Sequence, residues 1–147
     1  MTQEMIPNER VKDLRRKMKE NVGWTDEELD RLSFKQWRLL DKEHRLRRYK
    51  VIAEVVRVVD HCELQPNIGD KFVFNGAGIL IPEETTFPMI CLWALAGIFP
   101  LSFMIIDRIL QGLDPNDMWR DQANCMDSSI REGGLGKVVF KVYSKEV

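Results

Sequence analysis

A chain of 147 residues is the size of one ordinary domain, long enough to bury a hydrophobic core without disulfides or metal staples. Hydrophobic residues make up 44% of it and charged residues 31%, which excludes a disordered or fibrous protein. The net charge of −1 conceals an asymmetry, because residues 1–50 hold 14 Lys/Arg against 10 Asp/Glu. These basic residues alternate with acidic ones on predicted helices, so we interpret them as solvated helix faces. A nucleic-acid contact is the weaker alternative.

The N-terminal third predicts short helices. Asn8 can cap a first helix that Gly23 can end. Thr25 to Glu28 and Ser33 to Gln36 both have the form of a capping box, in which each side chain satisfies a backbone N–H at the helix start. Two boxes this close predict two short helices that meet at a corner. Their apolar residues should pack on the body of the molecule or on a second subunit.

The hydrophobic period changes at Tyr49, where β-branched residues become frequent and a strand is predicted over 49–59. Further strands are predicted over 71–74, 79–81 and 137–143. The last of them should place Val138, Phe140 and Val142 on one face. The Asn-Gly-Ala-Gly sequence at 75–78 predicts a tight turn. These elements predict a small antiparallel or mixed sheet.

An apolar segment over 87–106 contains no charged side chain. Its length would admit a membrane span. However, Pro100 should break a helix at this point, and Gly97 lies close to it. We therefore predict two short helices that are broken between these residues and buried in the core, with no membrane span. The second helix should end near Gly112.

Together these elements predict an α+β fold with one structural domain overall. An N-terminal helical region, residues 1–48, should pack on an α+β core over residues 49–147. In that core the buried, broken helix is inserted before the last strand. The first residues show no basic segment followed by an apolar one, so we expect a cytoplasmic protein.

Three cysteines, Cys62, Cys91 and Cys125, are the first candidates for chemistry. Their odd number and wide spacing favour reduced thiols over a disulfide framework. Together with His61 they would suit zinc, and the three alone could hold an iron–sulfur cluster. No close pair such as C-x-x-C is present. Three separate buried thiols are therefore the favoured reading, and no cofactor is predicted.

A nucleophilic cysteine is a second possibility for these thiols. Cys91 near a helix N-terminus would have its thiolate stabilised by the helix dipole. His61 could act as a base, with Asp60 or Asp127 to orient it. Asp70 and Asp127 are further acid–base or ligand candidates. The sequence leaves open whether the protein is an enzyme.

Several short motifs resemble those of a small family of uncharacterised repeat-type proteins from anaerobic bacteria and archaea. The similarity covers the chain from about residue 49 to the C-terminus and is looser over the N-terminal helices. The motifs are Ile68-Gly-Asp-Lys-Phe72, Asn75-Gly-Ala-Gly78, Cys91-Leu-Trp-Ala-Leu95, Gly112-Leu-Asp-Pro-Asn-Asp-Met118, Cys125-Met-Asp127 and Gly133-Gly-Leu-Gly136.

This resemblance implies a protein of anaerobic metabolism but no particular activity. It also implies that some relatives carry additional cysteines and a histidine where this chain has Pro66, Thr86 and Glu132, so that an ancestral metal site would be incomplete here. We expect a small binding or accessory protein, either a homo-oligomer or a subunit beside a larger metabolic enzyme. The alternative is a small enzyme or metal-thiolate protein that uses Cys62, Cys91 and Cys125.

Overall fold

The computed structural model describes residues 6–147. The chain divides into two compact units, of which the first ends at His44 and the second runs from Arg45 to Val147. Helices combine with an antiparallel sheet, so the predicted α+β class is confirmed. The predicted packing of residues 1–48 on the body stays a prediction.

The first unit contains three helices: α1 (Asn8–Val22), α2 (Asp26–Asp30) and α3 (Phe34–Lys42). Both predicted capping boxes are confirmed at the starts of α2 and α3. The residue before α1 is Pro7, so the predicted cap at Asn8 is wrong, and Asn8 is the first helical residue. Gly23 ends α1 with a φ of 81°, a conformation that glycine adopts without strain.

Ion pairs join these helices. Arg15 donates to Asp30 at 2.8 Å, and Lys19 donates to Asp26 at 2.7 Å, so α1 is tied to α2. Hydrogen bonds from Lys17 and then Arg16 hold the pKa of Asp13 below its usual range. Bonds from Lys19 and Arg15 lower the pKa of Asp26 in the same way.

Acid is therefore expected to destabilise this helical unit. Both carboxylates have lower pKa values in the folded state, so their contribution is present above their unfolded pKa of about 4 and is lost as the pH falls below it. The Asp26→Asn variant should be less stable than the wild type at neutral pH, and the difference should vanish in acid. Hydrogen exchange of amides in residues 8–42 would measure it. A difference that persists unchanged at low pH would contradict this assignment.

The second unit is built on a four-stranded sheet. Its strands are β1 (Tyr49–Asp60), β2 (Lys71–Asn75), β3 (Gln122–Asn124) and β4 (Gly136–Glu146). The strand order is β2-β1-β4-β3 and every pair is antiparallel. The predicted strand over 79–81 is wrong except for a single bridge between Leu80 and Phe74. The three-residue β3 lies outside every predicted element. Short 3₁₀ helices occupy Glu43–Arg48, Pro82–Glu84 and Ile130–Glu132.

The apolar segment forms one continuous helix, α4 (Leu92–Gln111), which ends at Gly112 as predicted. The predicted break between Gly97 and Pro100 is therefore wrong. Proline leaves the carbonyl of the residue four positions earlier without a donor. Here that residue is Ala96, and both Ala96 and Pro100 are exposed, so the carbonyl lies on the solvent side, where water can satisfy it.

The prediction that this segment is buried is also wrong for one side of the helix. By length and composition α4 could cross a membrane, but only 22% of its most apolar window is buried. The buried side chains recur at helical spacing on the face toward the sheet: Ala94, Ile98, Leu101, Ile105 and Ile109. The opposite face is apolar and open to solvent.

The core lies between α4 and one face of the sheet. Val138, Phe140 and Val142 are all buried there, which confirms the predicted face of the last strand. Phe72 from β2 is completely buried and stacks on Phe87, with ring centroids 4.5 Å apart. These residues and the buried face of α4 belong to one hydrophobic core.

Two further contacts hold the second unit together. A Cβ on Gly97 would lie 1.8 Å from the carbonyl oxygen of Asn124, so only glycine allows α4 to contact the backbone beside β3. On β4, the side-chain amide of Asn116 bonds both backbone groups of Ser144. Its Oδ1 accepts from the N–H at 2.7 Å, and its Nδ2 donates to the carbonyl at 2.9 Å.

Candidate functional site

The three cysteines all lie at ends of elements in the second unit. Cys62 follows β1, Cys91 immediately precedes α4, and Cys125 follows β3. Each is free and half-buried, and each packs against the main hydrophobic core. The sequence predicts separate buried thiols, whereas each of the three is only half-buried.

A metal site shared by Cys62, Cys91 and Cys125 is not formed. Within residues 6–147, no group of three or more His, Cys, Asp or Glu side chains is placed to hold a metal ion. The ligand set suggested for zinc or an iron–sulfur cluster is thus not brought together in the part of the chain that the structure describes. The residues present do not fit such a group.

Cys125 instead forms hydrogen bonds with Val138 of β4. The N–H of Val138 donates to its sulfur at 3.3 Å, and its own N–H donates to the carbonyl of Val138 at 2.9 Å. These bonds extend the pairing of β3 with β4 by one residue. The sulfur of Cys125 thus has a structural role.

Cys91 occupies the position at which the sequence predicted a helix start, since α4 begins at the next residue. Its side chain makes no capping hydrogen bond. His61 is exposed on the segment that follows β1, whereas Cys62 packs on the core. The side chains of these two neighbours therefore lie in different surroundings. A catalytic role for His61 or for the thiols stays a prediction.

The acidic candidates Asp70 and Asp127 each accept a hydrogen bond from a backbone N–H in a loop. The carboxylate of Asp70 accepts from the N–H of Asn67 at 2.7 Å, which completes the turn before β2. The carboxylate of Asp127 accepts from the N–H of Leu135 at 3.3 Å, so it holds the glycine-rich loop before β4. These contacts give both residues a structural function.

The solvent side of α4 is an exposed apolar surface. We define the α4 face as Leu92, Trp93, Ala96, Phe99, Phe103 and Met104, all of which are exposed. Phe99 and Phe103 stack with ring centroids 6.2 Å apart. No charged residue occurs from Leu92 to Ile106. Beside this face, an apolar groove of about 450 Å³ runs between α4 and the turn that follows β2.

A second, polar pocket of about 590 Å³ lies where the C-terminal end of α4 meets the start of β1 and the end of β4. Arg45, Asn116 and Ser144 contribute polar groups to it. Tyr49, Ile109 and Leu113 contribute apolar surface. Sequence reasoning missed this pocket, because its members come from three segments that no local motif connects.

Comparison with known proteins adds no assignment to this geometry. The chain matches no protein-family model, no curated protein and no solved structure against which we compared it. The α4 face and the polar pocket are therefore the two features that bear on function.

Proposed function

We propose that this protein works by association and forms a homodimer through the α4 face. The observation that carries the proposal is the exposure of this uncharged face. Trp93 is 63% exposed, Phe99 is 65% exposed and Phe103 is 60% exposed. Large aromatic side chains contribute most of the binding free energy at protein interfaces when they are desolvated.

The size of the face supports this proposal. If a large side chain offers about 150–250 Å² when fully exposed, the five large members leave on the order of 600 Å² accessible. Such an area is at the top of the range of roughly 300–600 Å² for the largest apolar patches on monomers. It approaches the ~800 Å² that each partner buries in a stable interface. Met89 and Ile90, exposed just before α4, would add to it.

The lack of charge favours a second copy of this chain as the partner. A two-fold symmetric contact places the same patch on both subunits, so any charge near its centre would face its own copy. The α4 face avoids this repulsion. A charged partner would find no complementary group on α4 between Leu92 and Ile106.

Light scattering over a range of protein concentrations tests the proposal. We expect a dimer for the wild type. Phe103→Asp should weaken dimerisation by well over tenfold, because it places an unpaired charge in the interface. The matched control is Leu135→Asp, which makes the same kind of change at a residue that is 77% exposed on the loop before β4, and it should leave the dimer intact.

Two results would contradict the proposal. One is a wild-type monomer at every concentration. The other is a monomer that binds lipid vesicles through the same face, which would assign α4 to a membrane surface. Association with a larger enzyme of anaerobic metabolism is the alternative expected from the sequence; it would give a monomer when the protein is alone, and it stays a prediction.

A further inference from the structure

We infer that the polar pocket at the C-terminal end of α4 binds a small organic carboxylate with an apolar body, held by Arg45 and Ser144. Ser144 lies near the end of β4 and is only 5% exposed. Its hydroxyl oxygen is buried without a hydrogen-bond partner among the described residues. A buried hydroxyl without a partner is costly, and Ser144 is one of the residues that line the polar pocket, so we take a ligand in that pocket as the partner that completes it.

Arg45 supplies the charge. One of its guanidinium nitrogens donates to the carbonyl of Leu110 at 2.9 Å, which fixes the side chain across the end of α4. No carboxylate lies within ion-pairing distance of it among residues 6–147. The remaining N–H groups form a planar fork that suits a carboxylate.

Four charged side chains line the pocket, two arginines and two carboxylates, and Arg48 pairs with Glu146. Arg45 is thus the arginine of the pocket without a carboxylate partner among the described residues. The carboxylate of Asp114 accepts from the N–H of Asn116 at 2.9 Å and keeps its negative charge, which disfavours a phosphate dianion relative to a monoanion. Two carbonyls at the negative end of α4 are also occupied. Arg45 binds that of Leu110, and the N–H of Leu113 binds that of Arg108.

The pocket is pre-formed by the backbone around it. Asn116 clamps both backbone groups of Ser144, so the hydroxyl is held in place on β4. A Cβ on Gly112 would lie 2.7 Å from the guanidinium of Arg45, so glycine at this position leaves room for that side chain. Tyr49, Ile109 and Leu113 form the apolar wall. The volume of about 590 Å³ falls within the roughly 300–1,000 Å³ of small-molecule sites.

Calorimetric titration of the full chain with isocaproate and with hydrocinnamate tests this inference, with isocaproamide as the neutral control and inorganic phosphate as the competing anion. We expect saturable binding of the carboxylates. In NMR spectra of the same titration, the chemical shifts of the Gly112 and Ser144 amides should change. The amide and phosphate should bind at least about tenfold more weakly, because neither provides a matched charge for Arg45.

Three variants test whether the unpartnered hydroxyl of Ser144 belongs to a ligand site. Ser144→Ala should weaken carboxylate binding about tenfold and leave the unliganded protein equally stable or more stable. Arg45→Lys keeps the charge but loses the fork, so it should also weaken binding. Ser128→Ala is the matched control, since its hydroxyl bonds the carbonyl of Glu132 outside the pocket, and it should bind normally.

Three outcomes would overturn the inference. The first is that neither carboxylate shows saturable binding, and the second is that amide or phosphate binds as tightly as carboxylate. The third is that Ser144→Ala destabilises the unliganded protein, because this would show that the hydroxyl has a partner inside the protein.

Discussion

Replacement of Phe72 by alanine is expected to lower the free energy of unfolding of the second unit by about 3–5 kcal/mol. Phe72 is completely buried, and its ring pairs with three further aromatic rings, of which that of Phe74 on the same strand has its centroid 6.4 Å away. The centroid of Phe87 is 4.5 Å away and that of Phe140 is 6.1 Å away. Its removal leaves a cavity between the sheet and α4 that the surrounding side chains cannot fill.

The slowest-exchanging amides of β1 and β4 would measure this loss, since their hydrogen exchange reports global opening. Trp119→Ala is the matched control, because Trp119 is 99% exposed and its loss should change stability by less than about 0.5 kcal/mol. Similar losses for the two variants would show that Phe72 is not at the centre of the core.

Gly97→Ala is expected to destabilise the same unit by about 2 kcal/mol, although alanine is the better helix former. The gain in helix propensity is about 1 kcal/mol. Against it, the added Cβ would lie 1.8 Å from the carbonyl oxygen of Asn124 and 3.0 Å from the Cα of Cys125. Both are backbone atoms that cannot rotate away, so α4 or the end of β3 must move, at a cost of about 3 kcal/mol.

The expected change in stability is opposite to the one that helix propensity alone predicts. Urea unfolding should show a lower midpoint for Gly97→Ala. The reverse change at its exposed neighbour, Ala96→Gly, should cost only the propensity difference of about 1 kcal/mol. A Gly97→Ala protein more stable than the wild type would mean that α4 does not contact the backbone beside β3.

Local patterns predicted the elements that local physics determines. The capping boxes satisfy the first N–H groups of α2 and α3 within four residues, so they can be read directly from the chain. The β-branched run likewise identifies β1. By contrast, β3 consists of Gln122, Ala123 and Asn124, which have little strand preference, and its strand depends on pairing with β4.

The largest error came from one residue whose effect depends on its surroundings. Pro100 would break a helix whose carbonyls are buried, but it is tolerated where the unpaired carbonyl lies on the solvent side. The sequence cannot show which side that is before the helix is packed. The polar pocket escaped prediction for a related reason, because Arg45, Asn116 and Ser144 come together only after the sheet and α4 have formed.

The clamp of Asn116 on Ser144 has a consequence beyond the pocket. β3 pairs with only three residues of β4, so the rest of that outer edge would offer free backbone groups to a strand from another molecule. One side-chain amide occupies both groups of Ser144 and thereby ends the ladder at this point. The same contact that shapes the polar pocket therefore also closes this part of the β4 edge to a strand from another molecule.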